Sequence, residues 1–74
     1  MGNGTPLMRM VEARTGIECR TAVIETWGKT GDWSAVSKVL GVAYPTLHTW
    51  RASVFHITED ELNSARDGYL TSLM

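Results

Sequence analysis

Pro6, Gly16, Gly28, Gly31, Gly41, Pro45 and Gly68 cut the chain into stretches too short for a long helix. Glycine and proline are the strongest local breakers of regular structure, so the segments between them must fold as short units. Within each segment the apolar residues recur three, four and seven positions apart. None alternates over a useful length, so the segments read as amphipathic helices rather than strands. The sequence therefore predicts an all-α fold: a single small domain over residues 1–74 with four to five short helices.

The boundaries follow from capping chemistry. Thr5 fits an N-cap, with Pro6 at the first helical position, where its missing N–H costs nothing. That helix should end near Thr15 and Gly16. Thr15-Gly16-Ile17-Glu18 has the spacing of a capping box for the next helix, expected over Ile17 to Trp27 with a stop at Gly28. Ile17, Val23, Ile24 and Trp27 share one arc of it. Arg20 falls inside that arc. Either its stem packs while its head reaches water, or the face meets a partner, and the first is preferred. Gly28 to Gly31 reads as a loop, and Asp32 as the cap of a helix beginning at Trp33.

Trp33, Val36 and Leu40 then form one stripe, and Gly41 ends it. Pro45 suits the first turn of another helix, in which Leu47, Trp50 and Val54 repeat the stripe. Val54 to Ile57 reads as an extended connector. Thr58-Glu59-Asp60-Glu61 is a capping box, with Ile57 placed to staple onto Leu62 and three acids on the positive end of the helix dipole. That helix is expected to stop near Gly68. Residues 1–5 and 69–74 are expected to be flexible.

Seven Lys and Arg against eight Asp and Glu leave a net charge of −1, which excludes a strongly basic nucleic-acid coat protein. The lone Cys19 cannot close an internal disulfide, and a secreted domain of this size usually carries several. With no apolar run of membrane-spanning length and a polar, uncharged start at residues 1–6, the expectation is a soluble cytoplasmic protein. His48 and His56 stand apart from Cys19 and from clustered acids, so no metal is expected. Gly28-Lys29-Thr30-Gly31 lacks the upstream glycine of a phosphate-binding loop. No catalytic constellation is present, so neither an enzyme nor a cofactor is expected.

The segment from Trp33 to Arg51 carries the informative motif. Two short helices that cross steeply need a small residue at the crossing, and Ser37 supplies it. The tight turn between them needs positive φ, which Gly41 permits. Val36, Leu40, Val42, Leu47 and Trp50 are placed to plug the interior. With Gly41, Val42, Thr46 and Trp50 at this spacing, residues 32–53 resemble the helix-turn-helix of small phage-type transcription regulators. The resemblance implies that the second helix presents the working face. By position, Ala43, Tyr44, Pro45, His48 and Thr49 would meet a base edge or a partner, with Arg51, Lys38 and Lys29 beside them for phosphates.

That face holds no Arg, Lys, Asn or Gln before Arg51, and those side chains make the bidentate base contacts. Lys29, Lys38 and Arg51 against Asp32 make residues 27–56 only weakly basic, a thin footprint for a polyanion. The leading expectation is therefore a transcription regulator that contacts the transcription machinery, RNA polymerase or an associated factor, to alter or inhibit promoter use. The alternative is a repressor or activator that reads double-stranded operator DNA in the major groove. A phage assembly or packaging adaptor comes third. Trp33, Met8 and Met10 are the candidate apolar contact anchors; Trp27 and Trp50 are expected in the core.

Overall fold

A computed structural model describes residues 6–74, and every regular element among them is helical. The order is α1 (Pro6–Thr15), α2 (Cys19–Thr30), α3 (Trp33–Leu40), α4 (Tyr44–Thr49), a π-helical turn (Trp50–Val54) and α5 (Glu59–Ser72). The expected all-α architecture of five short helices is present. The expected Thr5 cap and the segment 1–5 lie outside the described residues. One core joins all five helices: Met8 and Val11 from α1, Cys19, Ala22 and Val23 from α2, Val36 and Leu40 from α3, Leu47 from α4 and Leu62 from α5, with Val42, Trp50 and Ile57 from the segments between.

The entry to α2 differs from the expected capping box. The Thr15 hydroxyl donates back to the Val11 carbonyl (2.8 Å), so it stays with α1. The first amide of α2, Cys19 N–H, donates instead to Glu12 Oε2 at 3.0 Å. A carboxylate on the neighbouring helix thus does the work of a cap, and α2 starts two residues later than expected.

Its end also moves. The helix runs through Gly28 to Thr30 and stops at Gly31. Gly28 is not a terminator but the place where α5 lies on α2. A Cβ there would stand 3.0 Å from the backbone carbon and oxygen of Ala65 and 3.1 Å from its Cβ.

Two arginines pin α5 on either side of that contact. Arg20 Nη2 pairs with Glu61 Oε1 at 2.6 Å, and its Nε donates to the Phe55 carbonyl at 3.2 Å. Arg66 Nη1 donates to the Gly28 carbonyl at 2.9 Å. Arg20 sits on the inward arc with its head paired to α5, and its side chain remains 40% exposed, as expected of a packed stem with an accessible head.

α5 begins with the expected capping box: Glu61 N–H donates to Thr58 Oγ1 (3.2 Å) and Thr58 N–H to Glu61 Oε2 (3.0 Å). Ile57 and Leu62 are both buried, as the staple requires. The helix does not stop at Gly68 but continues to Ser72, so the expected tail is largely helical.

The Leu47, Trp50 and Val54 stripe fails at its last member. Trp50 to Val54 winds as a wider π turn, closed by Phe55 N–H donating to the Trp50 carbonyl at 2.7 Å. The extra residue per turn rotates Val54 outward, where it is 46% exposed, and brings Phe55 against Trp50 with ring centroids 5.8 Å apart. Nor is the connector extended: His56 takes φ +50°, and Ile57 N–H donates back to the Arg51 carbonyl at 2.9 Å, which folds the chain sharply into α5.

Two outcomes follow. Gly28→Ala should destabilise the protein by about 1–3 kcal/mol through overpacking, although alanine is the better helix former. Denaturant unfolding measures it, and an unchanged or raised midpoint would refute the close-approach reading. The second concerns acid. The hydrogen bond from Thr58 N–H, then that from Arg20, holds the Glu61 carboxyl below its ordinary range. Its folded value is lowered, so its stabilisation is present above the unfolded value of about 4.3 and is lost as pH falls through the folded one. Glu61→Gln should therefore lower the melting temperature at pH 7, and the gap to wild type should close in acid. A gap independent of pH would show that the charge plays no part.

Candidate functional site

α3, the turn at Gly41 and α4 form the unit expected to carry function. Asp32 caps α3 by accepting from Ser34 N–H at 3.2 Å. At the other end, Gly41 stands at φ +70°. The Ser37 carbonyl accepts from both Gly41 N–H (2.9 Å) and Val42 N–H (3.1 Å). The Ser37 hydroxyl donates to the Val42 carbonyl at 2.6 Å. Ser37 is thus more than a small spacer, because it clamps the turn from both sides. Arg14 of α1 donates to the Leu40 carbonyl (3.3 Å), and its Nη1 would lie 2.7 Å from any Cβ at position 41. The backbone angle is what favours glycine there, since the Arg14 head is the end of a flexible side chain and could shift aside.

The five interior plugs expected from the motif are all buried: Val36, Leu40, Val42, Leu47 and Trp50. Their burial fixes which side of α4 faces out. Ala43, Tyr44, Pro45, His48 and Thr49 are all exposed, so the structure brings these expected face residues together.

The face is aromatic. Tyr44 and His48 rings lie 4.5 Å apart, His48 and Trp33 6.0 Å, and Trp33 and Trp27 6.1 Å. The row runs from the surface of α4 inward across α3 to α2. Trp27 was expected only as core. Its place in this row was hidden because residues on three helices meet only after folding. The Thr49 hydroxyl donates to the Pro45 carbonyl at 3.2 Å, which commits its proton locally.

The charged candidates fare differently. Lys38 is exposed on α3. Arg51 is half-buried, and its Nε is shut from solvent with no hydrogen-bond partner. Arg14, Arg20 and Arg66 donate to the protein's own carbonyls or to Glu61. Three of the chain's seven cations are thereby committed to holding helices together.

Of the apolar anchors, Trp33 is half-buried within the aromatic row, and Met10 is 37% exposed on α1. Met8 is only 6% exposed and belongs to the core, which removes it from any contact surface. Val39, 54% exposed on α3, is an apolar surface residue that the periodicity did not single out.

Burial, with Glu12 nearby, pushes the Cys19 thiol up to about 11, so it is a packed side chain rather than a nucleophile. Among the described residues no group of three His, Cys, Asp or Glu is placed to hold a metal ion. No described helix is long and apolar enough to cross a membrane. In comparisons with known proteins, no family model matches the chain, and no curated protein or solved structure does either.

The division between buried and free sides of α4 is measurable. Leu47→Ala should cost about 2–5 kcal/mol of stability, whereas Tyr44→Ala should stay within about 0.5 kcal/mol of wild type. Chemical denaturation of the two variants checks this. A large loss from Tyr44→Ala would place that ring in the fold rather than at a binding face.

Proposed function

We propose that α3, the Gly41 turn and α4 are a helix-turn-helix, and that the protein is a small transcription regulator of phage type. It acts by contact with the transcription machinery, RNA polymerase or a factor bound to it, to alter or inhibit promoter use. The observation that carries the reading is the exposed face of α4. It presents Tyr44 in tilted contact with His48, and His48 in turn against Trp33, with no Arg or Lys on α4 itself. Aromatic rings anchored on a packed base suit a protein interface, where tyrosine and tryptophan dominate binding energy. Affinity for nucleic acid comes mainly from phosphate contacts, and Arg14, Arg20 and Arg66 each spend guanidinium donors on the protein's own carbonyls or on Glu61.

A second reading, an operator-binding repressor or activator, is favoured by one feature. His48 and Thr49 carry hydrogen-bonding groups on the exposed side of α4, at positions from which a recognition helix reaches base edges.

A pulldown from host extract with and without nuclease separates the two. The protein reading expects RNA polymerase to be retained after nuclease treatment, with at least a tenfold loss from Tyr44→Ala. It also expects weak, flat retention on DNA between about 50 and 200 mM salt. Capture abolished by nuclease, a steep salt dependence, and operator preference altered by alanine at His48 and Thr49 would replace it with the DNA reading.

A further inference from the structure

A groove of about 480 Å³ lies where α1, α2 and α3 meet, with no residue of α4 in its lining. Val11, Ala22 and Leu40 line it. Two further residues on its wall, Ile17 and Val39, are large hydrophobics left 37% and 54% exposed. Arg14 and Lys29 also line it, and with Glu25 beside them the groove carries one net positive charge. Lys29 has no hydrogen-bond or ion-pair partner among the described residues, and Arg14 uses one nitrogen on the Leu40 carbonyl. A largely apolar depression edged by Lys29 and by the remaining donors of Arg14 suits something apolar that carries negative charge.

The same chain presents such an element. Near the end of α5, Leu70 is 43% and Leu73 64% exposed, three residues apart and so on one side of the helix. The last turn of α5 contains no basic residue, so nothing offsets the negative pole of its dipole, and Asp67 lies one turn back. Apolar tip and apolar groove match in character, and negative helix end and positive groove match in charge.

We infer that a second copy of this chain docks the end of its α5, through Leu70 and Leu73, into the groove between α1, α2 and α3. Groove and tip are different surfaces, so the contact is head-to-tail rather than two-fold symmetric. Each dimer keeps one open groove and one free tip, and association grows with concentration.

Sedimentation equilibrium over about 10 μM to 1 mM tests this. Wild type should rise from the mass of one 8.2 kDa chain toward dimer and beyond. Val39→Asp spoils only the groove. Leu73→Lys spoils only the tip, setting a cation against Arg14 and Lys29 while suiting the helix C-terminus. Both residues are exposed, so both variants should fold, with thermal melting as the control. Each alone should stay monomeric, and an equimolar mixture should recover a dimer and stop there, because one intact tip meets one intact groove. A wild type that stays monomeric throughout, a variant that associates like wild type, or a mixture that stays monomeric would each overturn the inference.

Discussion

The missing side chain at Gly28 sets the arrangement of the molecule. Without a Cβ there, the backbone of α5 at Ala65 rests directly on α2. Dispersion forces reward such contact only when it is close, and a gap of half an ångström would forfeit much of it. The same approach brings Arg20 within reach of Glu61 and Arg66 within reach of the Gly28 carbonyl. A long charged helix with little apolar surface of its own is thereby held by one buried leucine, one backbone contact and two arginines. The donors those arginines spend on Glu61 and on carbonyls are not free for an external anion.

The α3–α4 pair is held by a different device. Gly41 permits the backbone angle, Ser37 binds both sides of the bend, and Arg14 reaches over from α1 to the last carbonyl of α3. The bend that orients α4, only six residues long, is therefore held from both α3 and α1. A helix this short has no stability of its own. Its outward face is defined because Leu47 and Trp50 have only one place to go. A surface presented in this way is preorganised, which lowers the entropy lost when a partner binds.

Much of this was legible in the residues. The Asp32 cap, the Gly41 turn, the Thr58–Glu61 capping box and the interior set from Val36 to Trp50 rest on signals that no distant residue displaced. The misreadings share a cause. Thr15 lost its capping role to Glu12 of another helix. Gly28 became a contact rather than a stop, and Gly68 did not stop α5. Val54 left its stripe because a π turn inserted extra rotation that a fixed period of 3.6 residues does not anticipate. Met8 was placed at a surface, but the core claimed it.

For the candidate site, the exposed residues of α4 were legible as a set, since they are what remains after the inward stripe is removed. Their joining to Trp33 and Trp27 was not. The sequence alone determined an all-α chain, the placing of its capped helix starts and the poverty of cations near α4, because these rest on backbone angles, hydrogen-bonding neighbours and formal charge. Tertiary structure decided which glycine is a turn and which a contact, which arginines are spent on the fold, and which rings meet. Those outcomes depend on distances between residues far apart in the chain, and only packing sets such distances.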